Sequence, residues 1–316
     1  MVNRNIYRLF GLTLASDISF ASRMVSVACD PELFFCQADG NCDLADRGKR
    51  IFPQKDQESY LWLYKQEDHY QARIDQAVDF YIYPDRIEYN VLDPARRYLV
   101  EICFLGEVIS IWLESKGITA LHASAVSKDG KAAAFLSTNR GGKSALAASL
   151  MKEGHLLLTD DILAIEEVNN TFFGRPGYPQ MKMWEDEAKY FLGSYEELDT
   201  VHPLYNKRRI PVGTDGFGSF CDRIQPIAAF YLPDRQSSDC GIRIEAVSPR
   251  DAVIEIIRNS FSAGIVEAMG MQIERMQFFV QMLKRIPMRR LIYPSGFQNL
   301  PEVNRAVMED LEKINL

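Results

Sequence analysis

The sequence predicts a mixed α/β fold with some α+β character, in which a β-rich N-terminal region precedes a domain that contains both helices and strands. Three observations indicate this class. Short aromatic and β-branched runs separated by turn residues fill residues 60–91, a pattern typical of antiparallel strands. The pair Asp129-Gly130 joins two apolar runs, as in a β-hairpin. Finally, Gly142-Lys143-Ser144 lies between an apolar run and a helix-like segment.

The composition narrows the class of protein. With 316 residues, 25% charged and 47% hydrophobic, the chain is globular rather than disordered, collagen-like or a disulfide scaffold. A net charge of -7 argues against nucleic acid as the main partner. No uncharged stretch approaches the roughly 20 apolar residues of a membrane helix, and the N-terminus has no apolar secretion signal, so we expect a cytoplasmic protein with no membrane partner. The six cysteines form no C-x-x-C pair and predict no zinc site.

The N-terminal region is predicted to be mostly β-structure. Strand-like pieces occur near Tyr7–Leu14, and a polar stretch at Gln37–Lys49 favours a loop. A meander is expected over Tyr60–Lys65, Tyr70–Ile74, Val78–Tyr83 and Ile87–Val91. Tyr98–Glu114 has the length and periodicity of a buried helix that ends at Gly117. We therefore divide the chain into a β-rich accessory region, residues 1–97, and a second domain, residues 98–316.

A hairpin opens the central part of that second domain. Ala120–Val126 and Lys131–Leu136 are the two strands, and a type I′ turn at Asp129-Gly130 sets Lys128 opposite Lys131 and His122 opposite Ser137.

Helices and strands alternate after the hairpin. The pattern predicts a helix over Ser144–Glu153, a strand over His155–Leu158, a strand over Ile224–Leu232, a helix over Asp251–Phe261 capped by Ser248, a helix over Val266–Ile286, a strand over Met288–Tyr293 and a last helix in which Val303, Val307, Leu311 and Ile314 share a face. The apolar stripe Met269, Ile273, Met276, Phe279 and Leu283 is expected to pack in the core.

Gly142-Lys143-Ser144 closes a loop of the phosphate-binding G-x-x-x-x-G-K-[ST] type, with Ser137 in place of its first glycine. Backbone N–H groups and the helix dipole attract an anion at such a helix start. Lys143 would reach the terminal phosphates, and Ser144 would offer its hydroxyl to a magnesium ion. The predicted nucleotide-binding residues are Ser137, Thr138, Asn139, Arg140, Gly141, Gly142, Lys143, Ser144 and Ala145. The alternative is a tight turn with Lys143 in solvent.

Two further features favour a nucleotide site. Asp160-Asp161 follows the strand Leu156–Leu158, where nucleotide sites often carry a metal-binding carboxylate; the alternative is a solvated turn. The hairpin register brings His122 to the mouth of the loop, where it could pair with a carboxylate or a phosphate; the alternative is a core histidine.

These segments resemble the bacterial HPr serine kinase/phosphorylase superfamily, whose core is similar to that of phosphoenolpyruvate carboxykinase. The resemblance runs through Leu121–Val126, Ser137–Ser144 and Gly154–Asp161, and it implies a mixed-sheet P-loop kinase core. Phe10-Gly11 and Arg175–Pro179 are more distantly similar to HPr-kinase-like proteins of peptide-modification clusters, including lasso-peptide kinases.

The resemblance implies a kinase that transfers the γ-phosphoryl group of ATP to a serine hydroxyl of a protein or peptide. Lys143 and the loop would hold ATP, Ser144 and Asp161 would hold Mg²⁺, Asp160 would act as the base, and His122 would tune it. The family assembles through its subunits, which implies a homo-oligomer.

The chain departs from the family in three places. Ser137 replaces the first loop glycine, Ala145 stands where an acidic residue is common, and no E-R-R-G-like segment supports the reverse phosphorylase reaction. Lys207-Arg208-Arg209 could stabilise phosphate or attract an acidic substrate, or could form a solvated turn. A small-molecule kinase and a nucleotide-binding regulatory module without catalysis stay open as alternatives.

Overall fold

The computed structural model describes residues 4–39, 48–53, 59–138, 140–237 and 240–314. The chain forms two compact units, one of residues 1–118 and 261–274 and one of residues 119–260 and 275–316. None of the helices in these described ranges is long and apolar enough to cross a membrane.

The strands of the first unit are β1 (Asn5–Leu9), β2 (Leu12–Ser16), β3 (Val25–Ser26), β4 (Leu33–Gln37), β5 (Lys49–Phe52), β6 (Leu61–Lys65), β7 (Tyr70–Ile74), β8 (Val78–Ile82) and β9 (Arg86–Val91). Those of the second unit are β10 (Thr119–Lys128), β11 (Lys131–Leu136), β12 (Leu156–Thr159), β13 (Ile162–Val168), β14 (Thr171–Gly174), β15 (Gln180–Trp184), β16 (Thr200–His202), β17 (Tyr205–Pro211), β18 (Ser219–Phe220), β19 (Gln225–Gln236), β20 (Arg243–Ala246) and β21 (Met288–Pro294). The α-helices are α1 (Leu99–Cys103), α2 (Ile109–Ser115), α3 (Lys143–Lys152), α4 (Glu185–Leu192), α5 (Pro249–Arg258), α6 (Ala263–Ala268), α7 (Gln272–Leu283) and α8 (Leu300–Glu312).

The first unit is built on one sheet, in the order β3-β1-β2-β4-β9-β8-β7-β6-β5. Its β6–β9 part is the antiparallel meander that the sequence predicts, within a residue of each expected boundary. The parallel pairs β2/β4 and β4/β9 make the sheet mixed. The predicted β-rich N-terminal region is therefore confirmed.

The predicted helix over 98–114 forms as α1, a π-helical turn at Phe104–Val108 and α2. Its aromatic residue Phe104 stacks on Phe35 of β4, with ring centroids 3.9 Å apart. Because this packing ties the helical segment to the first sheet, the compact unit extends to residue 118, beyond the boundary at residue 97 set from sequence. The accessory role of residues 1–97 stays a prediction.

The second unit has a mixed sheet in the order β18-β12-β10-β13-β14-β19-β21-β20, with β11 paired to β10 and β19. β11 runs antiparallel to β10 and parallel to β19, and β19 runs parallel to β21. A separate antiparallel sheet has the order β15-β17-β16. The predicted mixed α/β class is confirmed.

Helices cover both faces of the larger sheet in the second unit. Alternation along β11 sends Ala133 and Phe135 into a core shared with α3 and α8. Ala132, Ala134 and Leu136 enter a second core shared with α5 and α7. The strand between them is therefore buried on both faces, which explains its continuous apolar sequence.

The hairpin of β10 and β11, which precedes Gly142-Lys143-Ser144, forms as predicted. Asp129 and Gly130 both have positive φ, 49° and 77°, as a type I′ turn requires. Lys128 pairs with Lys131, and the ladder continues to Ala123 opposite Leu136. That register ends one step short of the expected pair of His122 and Ser137.

One predicted helix is wrong. The segment Val266–Ile286 is two helices, α6 and α7, because Gly270 between them has a φ of 81°. The predicted core stripe is therefore broken. Met269 and Phe279 are buried, whereas Ile273 is 67% exposed and Met276 is 39% exposed.

A buried ion pair crosses two strands of the first sheet. Arg73 of β7 lies directly opposite Asp79 of β8, and its Nε donates to Oδ1 at 2.6 Å. The Asp79 side chain is fully buried. Its charge is therefore compensated by Arg73 rather than by water.

We predict that Arg73→Met lowers the free energy of unfolding by about 3–5 kcal/mol, because it leaves Asp79 buried and unpaired. Urea denaturation measures this change. The double variant Arg73→Met/Asp79→Leu should recover most of it, since no charge is then buried. Arg96→Met is the control, because Arg96 and Asp93 pair at the surface with side chains 32% and 40% exposed. An equal loss in Arg73→Met and Arg96→Met would contradict the prediction.

Candidate functional site

The segment between β11 and the start of α3 has two glycines, Gly141 and Gly142, at positions where a side chain would meet close neighbours. Gly142 has a φ of 92°, and a Cβ there would lie 2.9 Å from the Tyr293 hydroxyl. A Cβ on Gly141 would lie 2.1 Å from Ser137 Oγ. Ser137 and Gly141 thus lie close together, just before the first N–H groups of α3, which have no partner within the helix.

Lys143, the first residue of α3, is a buried cation held by backbone oxygens. Its Nζ donates to the carbonyls of Ser137 at 2.6 Å and Thr138 at 3.2 Å, and the residue is 7% exposed. Burial lowers the pKa of Lys143 to about 8, although Asp160 and Asp161 oppose this shift. Carbonyl dipoles satisfy the ammonium donors without neutralising the charge, so the position favours an incoming anion.

Asp160, directly after β12, binds three elements together. Its Oδ1 accepts hydrogen bonds from Ser124 of β10 at 2.6 Å and from Ser144 of α3 at 3.0 Å. Its Oδ2 accepts from the backbone N–H of Lys182 in β15 at 2.8 Å. The carboxylate is 7% exposed and lies beside the second residue of α3.

Asp161 faces a different set of partners. Its carboxylate pairs with Lys182 Nζ at 2.6 Å and lies 3.3 Å from His122 Nδ1. Burial disfavours its charge, but Lys182, Lys207 and His122 together hold the pKa of Asp161 well below its usual range. The residue also has a φ of 78°, a strained backbone for a non-glycine residue.

Burial lowers the pKa of His122, and the nearby Asp161 carboxylate opposes this shift. Its Nδ1 lies 3.1 Å from the Asp161 carbonyl oxygen, which can only accept. We therefore assign the proton to Nδ1, which directs the lone pair of Nε2 away from Asp161. The histidine thus orients Asp161.

The small sheet supplies residues that the sequence did not single out. Along β15, Met181 and Met183 point into the core, so the alternate residues Lys182 and Trp184 point into the site. Trp184 lies opposite Lys207 of β17, whose ammonium is 5.8 Å from the indole. The alternation Met-Lys-Met-Trp is typical of a strand. It does not indicate which cavity the face with Lys182 and Trp184 would line.

The basic cluster 207–209 is part of a strand, which excludes the solvated turn. Lys207 lines the site, whereas Arg208 pairs with Glu185 and donates to the Leu198 carbonyl. Arg209 donates to the Thr200 carbonyl.

Most of the predicted residues come together around one cavity. Its lining includes His122, Arg140, Gly141, Gly142, Lys143, Ser144, Asp160 and Asp161. Ser137 and Thr138 contribute carbonyls, and the Ala145 side chain belongs to the core beneath α3. Asn139 lies outside the described residues. The pairing of the two aspartates is the reverse of the expectation, since Ser144 contacts Asp160 and His122 contacts Asp161.

Ser144 Oγ and Asp160 Oδ1 are the oxygen atoms best placed to hold a cation. Both are hard donors of the kind Mg²⁺ prefers, and magnesium sites commonly combine one or two carboxylates with substrate phosphates and water. Across the described part of the chain, no group of three or more His, Cys, Asp or Glu side chains could hold a metal ion by itself. The donor set therefore fits magnesium bound together with a phosphate ligand, rather than a metal held by protein alone.

No family model and no curated protein matches the sequence. Among solved structures, the chain is similar to the Hpr(Ser) kinase/phosphatase from Coxiella burnetii, with 13% identity and a TM-score of 0.31, over 61% of this chain and 97% of that chain. A TM-score at this level does not establish a shared fold.

We predict that Gly141→Ala destabilises the protein by about 1–3 kcal/mol, because the new methyl group overlaps Ser137 and the loop must shift. Chemical denaturation measures the change. The matched control is Gly241→Ala, where a Cβ meets nothing within 4 Å and φ is not left-handed, so no loss is expected. Equal stability of the two variants would show that the loop is not packed as described.

Proposed function

We propose that this protein is an ATP-dependent kinase that transfers the γ-phosphoryl group to a serine hydroxyl of a protein or peptide. The observation that carries this proposal is the hydrogen-bonded pair Ser144–Asp160 beside the buried ammonium of Lys143, at the N-terminus of α3. The ammonium group, the helix N-terminus and two oxygen atoms suited to Mg²⁺ lie together there. Phosphoryl transfer uses all three kinds of group.

The loop would hold the phosphates of ATP. The N–H groups at the start of α3 and the helix dipole attract the anionic chain. Lys143 would exchange its carbonyl partners for phosphate oxygens, which gains a true charge pair for a buried ammonium. Arg140, Lys182 and Lys207 line the same cavity and add positive charge where charge develops during transfer.

Ser144 and Asp160 would hold Mg²⁺. When bound, the ion would neutralise charge on the phosphates. This replaces the sequence-based pairing of Ser144 with Asp161, because the Ser144 hydroxyl lies 3.0 Å from Asp160 Oδ1.

Asp161 would then orient the acceptor hydroxyl. As the hydroxyl oxygen bonds to the γ-phosphorus and the bond to the bridging oxygen breaks, the hydroxyl proton passes to the Asp161 carboxylate and ADP leaves. In a loose transition state the hydroxyl needs orientation more than a strong base, so the lowered pKa of Asp161 is compatible with this role. Lys182 and His122 act as positioning residues.

Serine as the acceptor and a protein or peptide as the substrate are supported by the sequence resemblance through residues 121–126, 137–144 and 154–161. The proposal is tested by incubating the full chain with Mg²⁺, γ-labelled ATP and an array of serine-containing peptides. Label on serine peptides and none on matched Ser→Ala peptides supports the proposal. ATP binding without turnover on any acceptor would identify a regulatory module, and label only on small hydroxyl compounds would identify a small-molecule kinase.

We predict that Lys143→Met lowers the rate of phosphoryl transfer by about 10²-fold or more, because it removes a preorganised cation from the transition state. Initial rates with labelled ATP measure this. Lys152→Met, at the other end of α3, is the control and should keep the rate. Comparable activity of the two variants would exclude a phosphate-binding role for Lys143.

We predict that the two aspartates separate by their dependence on Mg²⁺. Asp160→Asn should raise the Mg²⁺ concentration needed for half-maximal ATP binding, because one anionic ligand is lost. Asp161→Asn should leave that midpoint near its original value and lower the transfer rate by about 10²–10⁴-fold. Calorimetric Mg²⁺ titrations and initial rates measure both, with circular dichroism to check folding. If Asp161→Asn raised the Mg²⁺ midpoint and Asp160→Asn lowered only the transfer rate, the pairing of Ser144 with Asp161 that the sequence predicts would be correct.

A further inference from the structure

A second cavity of about 400 Å³ in the second unit adjoins the cavity that is lined by Lys143, Asp160 and Asp161. The two cavities share Arg140, Trp184 and Glu187 in their linings. Phe297, Asn206 and Arg235 line only the second cavity. Its volume is within the range of sites that enclose a small organic ligand.

The two cavities differ in whether the groups proposed to react line them. His122, Asp160, Asp161 and Lys182 line only the first cavity. A ligand that spans both cavities therefore has one end at the carboxylates and the other beyond Trp184. The acceptor hydroxyl must approach the Asp161 end, so the second cavity receives the end that does not react.

The chemistry of this wall suits a flat aromatic ring. The Arg140 guanidinium lies over the Trp184 indole, 4.3 Å from the ring centroid. Phe297 is held in place by stacking on Tyr190, with centroids 4.8 Å apart. Aromatic and guanidinium planes bind nucleobases by stacking and cation–π contact.

Polar groups at the edge of this cavity could meet the rim of a base or a ribose. The Asn206 amide and the Asp186 carboxylate both line it and are exposed. Glu187, in the shared wall, is instead engaged by the Trp184 backbone N–H at 3.0 Å.

We propose that the second cavity binds the base and ribose of the nucleoside triphosphate, with the base stacked on Trp184. The proposal rests on the proposed function, since it assigns the non-reacting end of the same donor. It makes Trp184 a residue that binds the nucleoside and not the phosphates.

The experiment compares Mg·ATP with Mg·tripolyphosphate, which carries the phosphate chain without a nucleoside. Calorimetry on the full chain gives both dissociation constants for the wild type, Trp184→Ala, Trp184→Phe and Phe278→Ala. Phe278 is the matched aromatic control, because it packs on the opposite core and lines neither cavity. Phe297→Ala provides a second route should Trp184→Ala fail to fold.

Trp184→Ala should weaken ATP binding about 10-fold or more and leave tripolyphosphate binding within about twofold, whereas Trp184→Phe should retain most of the ATP affinity. Phe297→Ala should also weaken ATP selectively, and Phe278→Ala should change neither ligand. Equal weakening of both ligands in Trp184→Ala, or no change in ATP affinity, would overturn the subsite while leaving the kinase proposal intact. Failure of the wild type to bind either ligand would instead overturn the proposed function, and the subsite with it.

Discussion

One buried carboxylate, Asp160, fixes the arrangement on which the site depends. It accepts hydrogen bonds from a strand of the hairpin, from the start of α3 and from the small sheet, through Ser124, Ser144 and the Lys182 backbone. Hydrogen bonds to a charged acceptor are stronger than neutral ones, and each donor would be costly to leave unpaired. The helix start, the loop and β15 are therefore held in one geometry by a group that also carries the charge a cation would meet.

Basic and acidic side chains lie close together around this carboxylate. Arg140, Lys143, Lys182 and Lys207 share a cavity with three acidic side chains. Lys182 is committed to Asp161, but Lys143 rests on carbonyl dipoles and Lys207 and Arg140 rest on the Trp184 ring. Weak, polarisable partners of this kind are exchanged for a polyanion at lower cost than the partner in a buried ion pair.

The elements nearest the site were the most predictable from sequence. Asp129-Gly130 needs two positive φ values, which few other dipeptides adopt, so the hairpin and its register followed directly. The failures have equally physical causes. Gly270 adopts a left-handed conformation that ends one helix, and this breaks the apolar stripe that periodicity had joined across it. Lys182, Trp184 and Lys207 lie on the small sheet. The orientation of this sheet depends on the packing of Met181 and Met183 in a core that segments distant in the chain form.

The sequence by itself determined that a glycine-rich turn, a lysine and two adjacent carboxylates would follow a buried hairpin, because turn dihedrals, apolar alternation and helix starts are local properties. Only the tertiary structure decided which carboxylate meets Ser144. Neighbouring residues at a strand end point in different directions, and the left-handed backbone of Asp161 turns its side chain toward Lys182 and His122. Such a choice depends on contacts between segments distant in the chain, and residue spacing along one segment carries no information about it.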